Sequence, residues 1–467
     1  MLTSIYLLRR RRFLPLFATQ LLNAFNDNLF KTAAVLFVVY SVYNSEEAEA
    51  RFSALTSGLF ILPFFILSAL AGQLADMRDK AKIIRCVKAA EIGIMAVGGA
   101  GLLLAWQGVL TQALAIPLMM AGIFAMGVHS TFFGPIKYAI LPQHLKPNEV
   151  LVGTGWVEAG TYIAILAGTI IAGFIPVELA AALVLVTALT GYLTSRHVPP
   201  APPTAAENHG DFESLANLGR ISGSFTGLLR PLMALPVFLF WTVGSSIKLV
   251  RNTMHQREVF YAILAISFFW TIGAVLFIQF PPLAKNVLMA GKEVASLFLV
   301  IFSVGVAIGS VAVNTLLKGE VSARYAPISV LFMGAFVAAF WFVCHEWTAD
   351  VRHMGLMSVG EFIAQPLAPL VLLALLMIAI SGGMFVVPLY AFLTTKCHRS
   401  EAARTVAANN IVNSGAMVIG SIIAGALSTV GVPLVEQLLL SAVMCLVSAW
   451  LGLRLFRAEK RALLAAA

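Results

Sequence analysis

The sequence predicts an all-α membrane protein with 12 transmembrane helices arranged in two six-helix halves. Three observations carry this expectation. The 467 residues are 60% hydrophobic and only 11% charged, where a soluble domain carries about 25% charged residues. Apolar runs of about 18 or more residues recur along the chain, each long enough to cross the hydrocarbon core as a helix. A polar stretch, HVPPAPPTAAENHGDFESLANLGRISGS from His197 to Ser224, separates six such runs from six others. Short alternating strands of the outer-membrane type are absent from the pattern, so helices are the default.

In chain order the spans are placed at 13–43, 53–75, 82–105, 112–134, 150–175, 177–196, 257–281, 294–317, 326–347, 367–389, 404–430 and 432–456. The first follows MLTSIYLLRRRRFLPLF, basic and then apolar, and runs about 30 residues with no small-residue cleavage site. That reads as a retained span and not a cleaved signal peptide. The resulting organisation is an N-terminal six-helix bundle over 1–196, a cytoplasmic linker with an interfacial apolar element over 197–256, and a C-terminal six-helix bundle over 257–467. The linker is Pro- and Ala-rich first and polar afterwards, as a spacer should be.

Loop charge sets the orientation. With Arg9–Arg12 on the cytoplasmic side, that side also receives Arg78, Lys80, Lys82, Arg85, Lys137, Lys146, Lys318, Arg324, Lys396, Arg399, Arg404, Arg454, Arg457, Lys460 and Arg461. The opposite side receives only Arg51, Lys285, Lys292 and Arg352, with acids such as Glu46, Glu47, Glu49, Glu178, Glu346, Asp350, Glu361 and Glu436. Both termini are therefore expected in the cytoplasm of a multi-pass inner-membrane protein. The net charge of +9 suits anionic lipid; no nucleic-acid partner is expected, because the basic residues sit in short loops. The segment LLRPLMALPVFLFWTVGSSIKLV (228–250) is apolar enough to resemble a thirteenth span, but it holds Pro231 and Pro236 and has cationic ends. Spanning would move every later basic loop outside, so it reads as an interfacial or re-entrant cytoplasmic element. The four cysteines, Cys86, Cys344, Cys397 and Cys445, are scattered without a CxxC or nearby histidines and read as buried thiols, with no metal site.

Polar residues inside the spans are the candidates for chemistry. NAFNDNLFKTA (23–33) places Asn23, Asn26, Asp27, Asn28 and Lys31 in the first span. Ionisable groups at membrane depth mark function by default. Asp27 and Lys31 are i and i+4 and are expected to face each other, either as substrate site or as a self-neutralising pair. Span five carries Glu158, with Gly153, Gly155, Gly160 and Gly168 for close packing; span three carries Glu91 three residues from Lys88, read as a structural pair. FFGPIKYAILPQHL (132–145) ends span four, with Pro135 and Pro142 expected to interrupt the helix. Its Lys137 either reaches a phosphate or snorkels. Span seven offers Trp270, Gln279 and a Pro281–Pro282 break; span eleven offers Asn409, Asn410 and Asn413, of which Asn409 and Asn413 share a face. Amides on span eleven facing acids on spans one and five would suit a headgroup bearing amine and phosphate. No GxSxG, HExxH, Walker loop or acyltransferase-type His-x4-Asp is present, so neither an enzyme nor a cofactor is expected.

Six spans, a central loop and six spans is the layout of the major facilitator superfamily, and GQLADMRDK (72–80) resembles its signature loop. Gly72 is then a close-approach glycine, Asp76 a cap or cross-loop partner, and Arg78 and Lys80 water-facing cations, together a gating element. Asp79 stands where a second glycine is usual. FATQLLNAFNDNLFK, FFGPIKYAILP, GTGWVEAGTYIAILAG, ISFFWTIGAVLFIQFP, SGGMFVVPLYAFL and ARTVAANNIVN together resemble the lysophospholipid transporters (LplT type) of that superfamily. The likeness is closest to the transporter half of fusions with an acyltransferase and acyl-carrier-protein synthetase. It implies a flippase moving lysophospholipids, chiefly lysophosphatidylethanolamine, to the cytoplasmic leaflet of the inner membrane for re-acylation. It also implies polar-site roles for Asp27, Lys137 and Glu158. Phe277 occupies the position of an arginine in stand-alone members, and Gln279 is the nearest polar residue, although i and i+2 do not share a helix face. The expected partners are the lysophospholipid, membrane lipid and a separate acyltransferase/acyl-carrier-protein synthetase, the chain acting as a monomer. Two other readings stand beside this one: a proton-coupled exporter of drugs or metabolites, and a non-transporting anchor for a lipid acyltransferase.

Overall fold

A computed structural model describes residues 6–202, 243–244, 246–317, 322–347, 355–396 and 402–466. Within them the chain forms twelve long helices: α1 (Leu14–Phe37), α2 (Glu46–Met77), α3 (Lys80–Trp106), α4 (Ile116–Ala139), α5 (Pro147–Phe174), α6 (Val177–Ser195), α7 (Arg257–Asn286), α8 (Lys292–Leu317), α9 (Ala326–His345), α10 (Ala368–Lys396), α11 (Ala402–Thr429) and α12 (Leu434–Ala466). Ten of them are long and apolar enough to cross a membrane by length and composition. The other two are α1, which holds the polar stretch Asn23–Lys31, and α5, whose apolar portion is Ile163–Phe174. The described residues contain no β-sheet, only an isolated bridge between Ala290 and Met357.

Local chemistry accounts for where the helices begin. Ser45 caps α2, its hydroxyl accepting from the Ala48 N–H at 3.5 Å, and Glu46, Glu47 and Glu49 fill the first turn, where carboxylates complement the helix dipole. The outer-side acids expected in a loop are thus helical, and α2 starts seven residues before the expected 53. Asp79 caps α3 by accepting from the Ala81 and Lys82 N–H groups at 2.9 and 3.4 Å. Gly431, at φ +81°, turns the chain between α11 and α12.

The prolines interrupt less than their sequence suggests. Pro281 and Pro282 lie inside α7, which continues to Asn286, and Pro135 lies inside α4. Burial explains this for α7, the most enclosed of the ten spans: packing on every side offsets the two missing N–H groups. Pro142 falls at the start of a separate short helix, Leu141–His144. The apolar element at 228–250 lies largely outside the described residues; 246–253 are helical.

Two bundles result. In the first, α1 lies against α5 and α6, α4 against α2 and α3, and α3 against α6. In the second, α8 and α9 pack on α10, α7 and α9 on α12, and α11 on α7. The halves meet where α2 packs on α11 and α7, and α5 on α8. One glycine sets the depth of the N-terminal half. A Cβ at Gly168 would sit 2.6 Å from the Phe25 carbonyl oxygen and 3.0 Å from the Leu29 nitrogen, so only glycine lets α5 lie this close to α1.

Candidate functional site

Between the halves lies a cleft of about 700 Å³ of empty space. The N-terminal half contributes Asn28, Lys31, Thr32 and Ser53 to its wall; the C-terminal half contributes Phe277, Ile278, Pro281 and Leu299. Lys31 is the one ionisable side chain among the described lining residues. Its ammonium lies over the Phe60 ring, 4.9 Å from the centroid, within the range of a cation–π attraction. Ser53 is buried and its hydroxyl has no partner. The signal that would have picked out Ser53 in the sequence is weak, because small hydroxyls are common in apolar helices.

Asp27 and Lys31 part company. The expected facing pair is not what the fold forms: Asp27 accepts from the Ser130 hydroxyl at 2.5 Å and from the Asn23 amide at 3.3 Å, while Lys31 turns to Phe60 and the cleft. Behind Asp27, α1, α3 and α4 enclose a polar cluster. Glu91 pairs with Lys88, both fully buried, and stands 3.4 Å from the His129 ring. The Asn26 amide donates to Glu91 at 2.7 Å, and Lys88 donates to the Asn23 side-chain amide oxygen at 3.4 Å. Gly191 of α6 leaves room for the Lys88 amine, which a Cβ there would approach to 2.9 Å. Asn23 and Asn26 are therefore engaged inside the N-terminal half. His129 and Ser130 were absent from the sequence expectations, although a histidine in an apolar run was a visible signal.

In the C-terminal half, Asn413 accepts from Ser267 at 2.7 Å and donates to the Tyr390 hydroxyl at 3.3 Å, which also receives the Trp270 indole N–H at 2.8 Å. Asn409 is fully buried with both side-chain polar atoms unpartnered. Gln279 points into its own bundle, donating to Gln437 at 3.2 Å. From that stretch Phe277, Ile278 and Pro281 line the cleft instead; Gln279, two residues and about 200° on from Phe277, faces away from it. Lys137, near the end of α4, is partly buried and engaged by a partner. The Glu158 side chain lies outside the described residues.

The two ends of the molecule differ. At the end with the acidic loops, Lys285 of α7 donates to Glu49 at 2.6 Å and to the carbonyls of Val39 and Tyr43 at 2.6 and 2.7 Å. Asn286 donates to the other Glu49 oxygen at 2.5 Å, Lys292 to the Ile175 carbonyl at 3.1 Å, and the Leu434 N–H to Glu46 at 2.8 Å. Among the described residues, the hydrogen bonds that join the halves gather at this end, which is shut. At the basic end Arg12 grips Glu149 of the same half through two bonds of 2.7 and 2.8 Å.

The signature loop is at the basic end, and it corrects two expectations. A Cβ at Gly72 would meet nothing within 4 Å among the described residues, so this glycine makes no close approach. Arg78 is exposed as expected, but Lys80 is buried, because the segment after α6 lies over it: the Lys80 N–H donates to the Ala201 carbonyl at 3.0 Å. Asp79 accepts the Ala201 N–H at 3.1 Å, and Arg85 donates to the Val198 carbonyl at 2.9 Å. Partial burial pushes the Asp79 carboxyl up, but the N–H groups of Ala201, Ala81 and Lys82 outweigh this and hold it below the usual aspartate value. The Asp76 side chain lies outside the described residues. Cys344 and Cys445 are buried as expected, whereas Cys86 is exposed; Cys397 is outside the described residues.

Known proteins give the arrangement its context. A "Lysophospholipid transporter LplT" of Salmonella paratyphi B is 23% identical over 436 residues, covering 90% of this chain and 89% of that protein. One of the same name from Cronobacter sakazakii is 22% identical over 417 residues, covering 88% and 87%. Among solved structures, a POT family transporter in complex with 5-aminolevulinic acid superposes with a TM-score of 0.65 at 11% identity, over 93% of this chain and 94% of that one. A bacterial homologue of the iron transporter ferroportin in an inward-facing state gives 0.62 at 11% identity, over 96% and 98%. These two show the fold alone. The family profile described as Major Facilitator Superfamily matches residues 16–351. With twelve long helices in two bundles around a central cleft, the chain is a multi-pass transporter, not an enzyme, and belongs to the Major Facilitator Superfamily.

Proposed function

We propose that this chain moves lysophospholipids, chiefly lysophosphatidylethanolamine, across a bacterial inner membrane to the cytoplasmic leaflet, where a separate enzyme re-acylates them. The observation that carries the reading is the cleft: a single described cation, Lys31, on otherwise largely apolar walls. An amphiphile with one acyl chain and a phosphate matches that pattern, the phosphate on Lys31 and the chain against Phe277, Ile278 and Leu299. The names of the relatives that span about nine-tenths of the chain support the same class. Of the residues singled out in the sequence, Lys31 holds the headgroup in this reading. Asp27, Asn23 and Asn26 brace α1 from behind, and Lys137 stands near the end of α4 on the basic side, which the loop charges assign to the cytoplasm in this reading. Opening of the Glu49–Lys285 end and closure of the other would expose the cleft alternately to the two leaflets.

The test is transfer of labelled lysophosphatidylethanolamine into the inner leaflet of proteoliposomes, read as the fraction that albumin no longer extracts. Transfer that depends on the protein is expected; a rate equal to protein-free vesicles contradicts the reading. A second reading, a proton-coupled exporter, is favoured by the buried gathering of Asp27, Glu91 and His129. Loss of most transfer on collapsing the pH gradient alone, at fixed membrane potential, selects it.

A further inference from the structure

Lys31 gives the cleft an anion site, but an ethanolamine headgroup also carries an ammonium. Asp27, the obvious acid for it, is turned away to Ser130 and Asn23. No carboxylate stands among the described residues that line the cleft. The opposite wall has acceptors of another kind. In an α-helix the N–H of residue i bonds the carbonyl of residue i−4. Residues 281 and 282 are both proline and have no N–H, so the carbonyls of Phe277 and Ile278 lose their helical donors. No side chain among the described residues donates to either oxygen. Phe277, Ile278 and Pro281 all line the same cleft as Lys31. Two adjacent main-chain carbonyls deprived of their i+4 helical donors, beside a largely apolar cleft, are strong acceptors whose satisfaction is worth more than in water.

Resting on the reading above, we propose that the Phe277 and Ile278 carbonyls, freed by Pro281 and Pro282, bind the primary ammonium of the substrate while Lys31 holds its phosphate. The double proline is then a specificity determinant. It selects a zwitterionic headgroup able to donate hydrogen bonds over an anionic one of similar size. The same pair accounts for a cleft that reads an amine without burying a carboxylate, which would attract the Lys31 ammonium and compete with the phosphate for it.

The experiment compares lysophosphatidylethanolamine with lysophosphatidylglycerol in the proteoliposome assay, for the wild-type protein and for Pro281→Ala/Pro282→Ala. The alanines restore two helical N–H groups, so the variant gains helix bonds and is expected to fold. The ratio of the two rates is the readout, since a general loss of fold or turnover lowers both lipids together. The wild type is expected to favour the ethanolamine lipid. The variant is expected to lose about tenfold of that preference, with glycerol-lipid transfer kept within about twofold. Pro281→Ala alone, which satisfies only Phe277, should fall between. An unchanged ratio with both lipids still transferred overturns this inference and leaves the lysolipid reading standing. Failure of the wild type to transfer either lipid overturns the reading and the inference together.

Discussion

Lys285, in the last turn of α7, reaches across to Glu49 in the first turn of α2 at 2.6 Å, and the Glu49 side chain is completely buried by the contact. One carboxylate and one ammonium therefore tie the two halves at one end of a cleft that holds its own unpaired cation, Lys31. Removing one partner of a buried pair costs about 3–5 kcal/mol, mostly because the other charge is left stranded.

Glu49→Gln should therefore loosen the acidic-loop end. Lys285 keeps the Val39 and Tyr43 carbonyls, so the shift should lie at the lower end of that range. Spin labels at the exposed positions Arg51 and Val430 should report a second, longer distance in Glu49→Gln that is weak or absent in the wild type. A distance distribution identical to wild type would show that the pair does not hold this end shut.

The Lys88–Glu91 pair should behave as a structural unit. Glu91→Gln strands the buried Lys88 ammonium and should lower the unfolding midpoint markedly, on the scale of a few kcal/mol. Lys88→Met combined with Glu91→Leu should recover a good part of that loss, since both charges leave together. A thermal unfolding series in detergent, run as a double-mutant cycle, measures the coupling; additive single effects would argue against a unit.

Asp79 should fasten the segment after α6. Asp79→Ala removes a helix cap, about 1 kcal/mol, and also the acceptor for the Ala201 N–H. Hydrogen exchange at Ala201 should speed up in the variant. The carboxyl is held below the ordinary aspartate value, so its contribution is present above the unfolded pKa and is lost as pH falls through the lower, folded one. Ala201 protection should thus persist through pH 5 and fade only in the strongly acid range, below the ordinary aspartate value of 3.8. Fading near neutral pH would contradict the assignment.

Gly168→Val should separate α5 from α1, because its Cβ would meet the Phe25 carbonyl oxygen at 2.6 Å and its branches would meet more. Backbone cannot yield as a flexible side chain does, so a loss of a few kcal/mol is expected. The measurement is the yield of monodisperse protein and its unfolding midpoint against Gly93→Ala, where a Cβ meets nothing within 4 Å among the described residues.

What the sequence made legible, and what it hid, follows from the range of the forces involved. The spans were readable because bilayer thickness imposes a length and composition that tertiary packing does not alter. Boundaries moved where local capping or enclosure won: Ser45 drew α2 back to Glu46, and burial carried α7 through Pro281 and Pro282. Partners were harder. The i, i+4 spacing of Asp27 and Lys31 permits a pair, but Asn23 competes for Asp27 at the same spacing within α1, and Ser130 supplies a hydrogen bond that only the packing of α1 and α4 creates. Lys285 and Glu49 read as ordinary loop charges because nothing in a linear pattern brings residues 236 positions apart together. Gln279 looked like the polar substitute beside Phe277, yet two residues along a helix is just over a half-turn, and it faces Gln437 instead.

The measurement that tests the account most directly is lysophosphatidylethanolamine transfer by Lys31→Met and Lys31→Arg in proteoliposomes, beside wild type at matched protein content. Lys31 faces the cleft and makes no close ion pair with a carboxylate among the described residues. If it holds the substrate phosphate, Lys31→Arg should keep transfer within a few-fold, and Lys31→Met should lower it by at least about tenfold with an unchanged unfolding midpoint. Transfer by Lys31→Met at the wild-type rate would contradict the account.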